Sequence, residues 1–353
     1  MRELTLIAPG ALGPWPHEFA SYVCDSLELP HLQLWLNRSD RGASAPLLKE
    51  ASIAHGAERT LAAQLGYAGD LDALPMAAFT ALGDGLNVRE GDAVTSIDPV
   101  HLVAHPHGAQ VTSGAALGLS DADAQEFADA VRPILSAQEQ LEVGAPTRWY
   151  LRASEAPDIV THSPFAVFGP AIEPALPHGT DGRRWRAVLT EIQMTLHAHA
   201  LNEGREMAGQ MPINSVWIWG QGRLPPASQP RPDVHVFADG QACRGLTQWA
   251  GATLSQRPSS TAELFADCDA NHALVVVPEF AGLATRGQVE DWRERLQSFE
   301  QNWLAPLTTA LRAGLVSSIS LEIAPLPTLT LSRRALRRFW RFARPLSSHI
   351  SAT

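Results

Sequence analysis

Short apolar runs bounded by glycine and proline recur along the chain, and each has the length of a strand. Runs of this kind that end at turn-forming residues are typical of strands buried in a sheet. The predicted strands are Leu4 to Ala8, Val100 to Ala104, Arg148 to Leu151, Ser215 to Trp219, His235 to Phe237, Ala273 to Val277 and Leu315 to Ile323.

Segments with helical spacing of apolar residues lie between these strands. Gln288 to Arg312 has the clearest pattern, with one apolar face along its length and Gly314 as a natural stop. Further helices are predicted at His17 to Leu27, Ala57 to Leu65, from Ser120 onward, at Arg183 to Asn202, and after Ser332 as a cap. This alternation of strands and helices predicts an α/β sheet protein.

The composition is that of a globular protein. The chain has 353 residues, of which 45% are hydrophobic and 18% charged. No apolar run reaches the roughly 18 residues of a membrane-spanning helix. Cys24, Cys243 and Cys268 are widely spaced and odd in number, which argues against a disulfide framework or a cysteine zinc site. We therefore expect a cytoplasmic protein with no membrane partner.

The charge is unevenly distributed. The formal net charge of -10 argues against nucleic-acid binding, which depends on Lys and Arg to neutralise phosphates. The stretch Ser332 to Arg344, SRRALRRFWRFAR, is strongly basic by contrast. Its spacing favours a helix that docks Leu336, Phe339 and Trp340 on the core, and the alternative is a surface for an anion or a protein partner.

A central block of the chain resembles a known family. Asn202 to Gly222, NEGREMAGQMPINSVWIWGQG, resembles the N-x-x-R…G-x-x-P-A-N-x-x-x-x-W-G-x-G block of archaeal-type cofactor-independent phosphoglycerate mutases, in the alkaline phosphatase superfamily. Shorter segments add to the resemblance at Leu65 to Tyr67, Ala81 to Asp92, Arg148 to Leu151 and Leu176 to Gly179. Within that group the chain looks most similar to the RpfE-type regulatory proteins of proteobacteria, so we expect a bacterial source.

The resemblance also implies an architecture. It predicts an alkaline-phosphatase-like α/β core sheet flanked by helices, with a smaller inserted α+β domain. The core would comprise residues 1–95 and 200–353, and the inserted domain residues 96–199. The alternation of strands and helices agrees with this division into an α/β core and an insertion.

The chemistry of that superfamily needs two divalent metal ions that activate a Ser or Thr hydroxyl. The resemblance places Pro9 at an aspartate ligand, Ala57 at the nucleophile and Leu283 at a histidine ligand. Glu279 keeps a carboxylate at one ligand position, but the strand end Ser320 to Pro325, SLEIAP, lacks the family's Asp-His pair. We therefore expect no catalytic residue, no metal and no other cofactor.

The substrate-side groups of the family are changed as well. Ser96 to Pro99 stands where the family has R-C-N-F, and Pro164 to Ala166 stands where it has P-H-D. Arg205, with Asn202 and Arg148, remains as a weak candidate for binding an anion, because a guanidinium can grip phosphate with two hydrogen bonds. The favoured alternative is structural, with Asn202 closing a helix end and Arg205 paired with a carboxylate.

A cluster of histidines is a further candidate, for a metal site. Alternation along a strand would bring His101, His105 and His107 to one face, as a metal site requires. The favoured alternative is an exposed hairpin end, because short histidine tracts are weak signals.

Three functional hypotheses follow, and the third is a protein-interaction module that presents the basic C-terminal helix. The first is a catalytically degenerate relative of phosphoglycerate mutase that regulates a partner or senses a ligand, with an unknown protein or a small anionic ligand as its partner. The second is an enzyme of altered mechanism that handles a phosphorylated or sulfated small metabolite, phosphoglycerate-mutase-like or phosphatase-like in its activity. It would use Glu279, the histidines around His105 and Arg205.

Overall fold

The structure, a computed structural model, describes residues 3–42, 55–105, 108–164, 175–267, 270–280, 282–323, 326–341 and 344–350. The chain divides into two compact units, Met1–Asp72 with Ser228–Thr353 and Ala73–Ala227. These boundaries differ from the expected ones at residues 95/96 and 199/200. They differ because Ala93–His105 and Ser215–Arg223 are paired strands of one sheet and so fall in the same unit.

The first unit is built on a sheet that is mainly parallel. Its strands are β1 (Glu3–Ile7), β2 (Asp40–Arg41), β8 (Val234–Phe237), β9 (Thr253–Ser255), β10 (His272–Val276), β11 (Ser318–Glu322) and β12 (Leu329–Ser332). Among the described residues their order is β2-β12-β11-β1-β10-β8-β9. Strands β11, β1, β10, β8 and β9 run parallel, and β12 and β2 complete one edge in antiparallel pairing.

Helices flank this sheet. They are α1 (Ala20–Cys24), α2 (Pro30–Arg38), α3 (Gly56–Gln64), α8 (Gln241–Trp249), α9 (Thr261–Asp267), α10 (Val289–Phe299) and α11 (Ala305–Ala313). The apolar stripe predicted for the long helix is buried, and Trp292, Phe299 and Leu311 pack with β1 residues such as Leu6. That burial anchors the helices on the sheet.

A single wide turn, Glu300–Leu304, joins α10 to α11. In this turn the Ala305 amide donates to the carbonyl of Glu300, five residues earlier rather than four. Pro306 has no N–H, so it cannot donate to the carbonyl of Asn302 four residues before it. The buried hydroxyl of Thr261 donates to that carbonyl instead, at 2.9 Å.

The second unit contains an antiparallel sheet of β3 (Ala93–His105), β4 (Gly108–Thr112), β5 (Gln140–Ala145), β6 (Arg148–Ala153) and β7 (Ser215–Arg223). The order is β4-β3-β6-β5, and β7 pairs with β3. Its helices are α4 (Met76–Gly83), α5 (Asp121–Val131), α6 (Gly182–His197) and α7 (Ala200–Met207). Phe127, Trp149 and Trp185 form the centre of its core with apolar residues of α5 and α6.

The predicted strands and most predicted helices are confirmed within a few residues. Ser120 caps α5, because its hydroxyl oxygen accepts a hydrogen bond from the Asp123 amide at 3.1 Å. The helix predicted over Arg183 to Asn202 is instead two helices, α6 and α7. The break falls at Ala198, and the His199 ring caps α7 by accepting from the Leu201 amide.

The final helix predicted after Ser332 is wrong. Among the described residues from 333 to 341, only Ala335–Arg337 forms a helical turn, of the 3-10 type. Tertiary hydrogen bonds hold the segment instead, since the Arg38 guanidinium donates to the carbonyl of Leu336 at 2.6 Å and Arg338 pairs with Asp40. Phe339 and Trp340, expected in the core, are 80% and 62% exposed.

We predict that Thr261→Val destabilises the protein by about 0.5–1.5 kcal/mol, because it removes the hydrogen bond that the buried hydroxyl of Thr261 donates to the carbonyl of Asn302. The matched control is Thr309→Val, whose hydroxyl bonds a carbonyl on the exposed face of α11 and should matter by less than about 0.5 kcal/mol. Urea unfolding of both variants checks this. Equal effects of the two substitutions would contradict the role given to Thr261.

Candidate functional site

Three strands of the first sheet end together. The amide of Ala8, just after β1, donates to the carbonyl of Glu322 at 2.9 Å, and the amide of Val277, just after β10, donates to the carbonyl of Ile7 at 2.8 Å. Helix α3 packs against both β1 and β10. The carboxyl edge of parallel strands is where α/β proteins commonly build their sites, so this edge is the candidate site.

The positions that the resemblance assigns to catalysis are apolar at this edge. Pro9 is buried and carries no donor atom for a metal. Ala57 lies in the first turn of α3 and is 5% exposed, and Leu283 is 7% exposed and belongs to the core. Gly10 has φ +82°, and a Cβ there would lie 3.0 Å from the carbonyl oxygen of Phe280. The backbone itself thus fills the space after Pro9.

Glu279, the retained carboxylate, is bound to an arginine. Arg257 follows β9, and its Nη1 lies 2.7 Å from Oε1 of Glu279. The Nε of Arg257 lies 3.1 Å from Oδ2 of Asp239, which follows β8. One guanidinium therefore bridges the carboxylates at the ends of two neighbouring strands. The second carboxylate oxygen of Glu279 is buried and has no hydrogen-bond partner among the described residues.

A second acidic residue at this edge is Glu322, which the sequence did not single out within the stretch Ser320 to Pro325. It ends β11 and is 7% exposed. Its carboxylate accepts from Nε2 of Gln64 and from the hydroxyl of Thr328, each at 2.9 Å. Burial raises the pKa of Glu322, and the hydrogen bond from Thr328 partly opposes that rise. Glu322 therefore serves to hold α3 and the start of β12 to the end of β11.

These donors do not fit the two-metal centre that the resemblance implies. In the part of the chain that the structure describes, no group of three or more His, Cys, Asp or Glu side chains could hold a metal ion. Glu279 is already neutralised by Arg257, and Glu322 is engaged with Gln64 and Thr328.

The anion-binding candidates from the central block lie inside the second unit. The side-chain amide of Asn202 donates to the carbonyls of Leu196 and Ile213 and accepts from the Ile213 amide at 2.8 Å. It thereby closes the end of α6, as the structural alternative predicts. Arg205 is 4% exposed and donates to the carbonyls of Met211 and Leu117.

Arg205 also lies 3.8 Å from the carboxylate of Asp123, while its Nη1 has no hydrogen-bond partner among the described residues. Burial lowers the pKa of Arg205, and Asp123 opposes that effect. The guanidinium is thus enclosed by protein groups. It has little surface to offer to an outside ligand.

Arg148 is held by a buried carboxylate. Its Nε and Nη2 donate to the two oxygens of Asp84 at 2.8 and 2.7 Å, and the hydroxyl of Tyr150 donates to the same carboxylate at 2.6 Å. Asp84 comes from the Ala81 to Asp92 segment that carries part of the resemblance. That shared segment therefore fixes β6 in place by a fork-shaped ion pair.

The histidine cluster is only partly described. The Nδ1 atom of His101 lies 2.9 Å from the carbonyl oxygen of Pro212, which satisfies that atom within the protein. The side chain of His105 and all of His107 lie outside the described residues. The predicted metal site on this hairpin stays a prediction.

Asp98 is a buried acid that the sequence analysis had named only as part of a changed motif. Its carboxylate accepts from the indole Nε1 of Trp219 at 2.7 Å and from the amide of Trp149 at 3.1 Å. Burial raises the pKa of Asp98 to about 7, although these two donors and Arg148 act to lower it. Asp98 ties β7 and β6 to β3.

The basic C-terminal segment presents two aromatic rings to solvent. Phe339 and Trp340 contact each other edge to face, with ring centroids 5.3 Å apart. Nearby arginines are engaged with the fold, since Arg338 pairs with Asp40 at 2.6 Å and Arg341 donates to the carbonyl of Ser39. No described helix is long and apolar enough to cross a membrane.

The geometry defines an α/β protein with a mainly parallel sheet flanked by helices and a second, antiparallel sheet. A solved structure of the PH0037 protein from Pyrococcus horikoshii shares this fold, with a TM-score of 0.54 at 14% identity over 99% of this chain and 92% of that one. At that identity the likeness concerns the fold alone. No family model matches the chain.

Several curated proteins are similar to this chain in sequence. The chain is 25% identical over 178 residues to the 2,3-bisphosphoglycerate-independent phosphoglycerate mutase of Methanothrix thermoacetophila, which is 44% of each chain. It is 36% identical over 62 residues to the enzyme of that name in Methanosarcina mazei, covering 18% of this chain and 16% of that protein. The matched regions span less than half the length of these relatives. The chain is therefore homologous, at low identity, to archaeal-type cofactor-independent phosphoglycerate mutases.

We predict that stability falls as the pH rises from about 4 to about 7 through Asp98. In that range the folded protein keeps a proton on Asp98 that the unfolded chain has lost, so raising the pH favours unfolding. Asp98→Asn should flatten this part of the pH profile in urea unfolding followed by fluorescence. Asp121→Asn, at an exposed position in α5, is the control. An unchanged slope in Asp98→Asn would contradict the assignment.

Proposed function

We propose that the protein is a catalytically degenerate relative of phosphoglycerate mutase with a regulatory or ligand-sensing role. It would act in the cytoplasm without a bound metal or other cofactor. Its partner would be a small anionic ligand or another protein. The net charge of -10 favours neither nucleic acid nor an anionic membrane as that partner.

One observation carries this proposal. At the carboxyl edge of the main sheet, a fixed guanidinium from Arg257 neutralises Glu279, the retained carboxylate, at 2.7 Å. A metal ion at Glu279 would lie beside the guanidinium charge of Arg257, and the side chains of Pro9 and Leu283 would give it no further donors. Ala57 likewise has no hydroxyl to attack a phosphate.

The C-terminal segment supports the regulatory role in this proposal. The exposed pair of Phe339 and Trp340 is the kind of aromatic surface that protein partners use. Deleting the segment is a poor test, because Ala335, Leu346 and Ile350 belong to the core. Point substitutions of the two aromatic residues leave that core intact.

The competing hypothesis is an enzyme of altered mechanism for a phosphorylated or sulfated metabolite. It would need Glu279 as an acid or base, or as a ligand. The buried, unpaired oxygen of Glu279 is the feature that favours it. Arg205 contributes little to this hypothesis, because main-chain carbonyls take up its donors.

We predict that the purified protein neither interconverts phosphoglycerates nor hydrolyses p-nitrophenyl phosphate or p-nitrophenyl sulfate, with Mg²⁺, Mn²⁺, Co²⁺ or Zn²⁺ supplied in turn. Titration calorimetry with Mn²⁺ should show no stoichiometric binding. The physical reason is the missing nucleophile at Ala57 and the missing donors at Pro9 and Leu283.

The matched variants are Glu279→Gln and Glu290→Gln. Glu290 is exposed and pairs with Arg293 on α10, so its substitution controls for a change of charge in the same unit. Metal-dependent turnover that Glu279→Gln abolishes and Glu290→Gln leaves intact would overturn the proposal in favour of the enzyme. Turnover that survives Glu279→Gln is expected only from a contaminating enzyme, and it should then vary between preparations.

A further inference from the structure

A cavity of about 220 Å³ lies in the second unit, between α6 and β7. Most of its lining is apolar and comes from Leu102, Leu176, Pro177, Leu189, Val216 and Ile218. An apolar cavity of about 150 Å³ can hold a benzene molecule. This cavity therefore has room for one six-membered ring with a small substituent.

The polar groups of the cavity stand in one stripe of α6. Arg186, Thr190 and Gln193 are spaced four and three residues apart, so they follow one another along the same face of the helix. Seven residues of helix separate the Cα atoms of Arg186 and Gln193 by about 10 Å. A ligand between them would meet a cation at one end and an amide at the other.

Arg186 lines the cavity and is solvent-exposed. Its Nη1 donates to the carbonyl of Pro177 at 2.9 Å, and in the described part of the chain no Asp or Glu pairs with it. Arg184, two residues earlier, is paired with Glu139 at 2.7 Å. The guanidinium of Arg186 can therefore bind an anionic group at the apolar cavity without giving up a carboxylate partner among the described residues.

The far end of the stripe offers a neutral polar contact. The Nε2 atom of Gln193 donates to the hydroxyl of Ser215 at 3.2 Å, and Ser215 is 2% exposed. Both residues line the cavity. Their amide and hydroxyl can bond a polar atom on the end of the ligand opposite to its charge.

We propose that this cavity binds a small aromatic monocarboxylate, with its carboxylate on Arg186, its ring against Leu189 and Ile218, and a polar substituent toward Gln193. The site lies in the second unit and goes beyond the proposed function, which rests on the edge of the first sheet. It names the class of ligand that a sensing role would use. It holds whether or not the strand-end residues have lost catalysis.

The test uses the full chain and 4-fluorobenzoate, with binding followed by ¹⁹F NMR in titrations to millimolar concentration. We expect Arg186→Gln to weaken binding at least tenfold. Arg183→Gln, at an exposed position of the same helix, removes the same charge and should leave binding unchanged. Thr190→Phe adds a ring to an exposed helix position at the cavity and should also weaken binding at least tenfold.

Charge is tested separately from fit. The neutral amide 4-fluorobenzamide has nearly the same shape and should bind the unaltered protein at least tenfold more weakly than 4-fluorobenzoate. The absence of binding by the unaltered protein overturns the proposal. So does binding that Arg186→Gln or Thr190→Phe leaves unchanged, or equal affinity for the acid and the amide. Circular dichroism of each variant confirms its folding, and this binding assay is independent of the turnover assays above.

Discussion

The meeting of three strand ends is the constraint on which the candidate site depends. Main-chain hydrogen bonds from Ala8 to Glu322 and from Val277 to Ile7 fix the ends of β1, β10 and β11 beside one another. The close approach of Gly10 to the carbonyl of Phe280 leaves no room for a side chain there. These contacts fix the backbone at this edge, and the chemistry there depends on which side chains the sequence supplies.

Electrostatics at the edge follow from that geometry. Asp239 and Glu279 leave neighbouring parallel strands and would repel each other without a cation between them. Arg257, from the end of the next strand, supplies a cation that is part of the chain. Its planar guanidinium contacts both carboxylates at once, which a lysine could not do with the same geometry.

Strong local periodicity made much of the fold predictable. Helices α10 and α11 carry one apolar stripe, and strands β1 and β10 are buried apolar runs. Each pattern repeats along its whole element, so the local sequence is enough to predict the element. The C-terminal segment has a helical pattern too, but hydrogen bonds to Arg38, Ser39 and Asp40 hold it in another conformation. A tertiary contact some 300 residues apart in sequence cannot be inferred from local spacing.

The positions that make up the candidate site were predictable from the sequence, and the partner of its carboxylate was not. Pro9, Ala57 and Leu283 could be placed because neighbouring motifs fix their positions. Arg257 could not, because it follows a three-residue strand and belongs to no motif. The sequence also did not predict that Arg148 pairs with Asp84 or that Trp219 donates to Asp98. These partners are 64 and 121 residues apart in the chain.

The apolar side chains at this edge and the ion pair of Glu279 with Arg257 have one physical basis. Several carboxylates and histidines buried at strand ends are costly without a metal, because desolvated charges of like sign repel and polar atoms lose their partners. Apolar side chains such as Pro9 and Leu283 avoid that cost at those positions. Glu279, a carboxylate at this edge, is balanced by the cation of Arg257. The apolar residues and the ion pair therefore lower the same electrostatic cost, the former because they carry no charge and the latter because it pairs one.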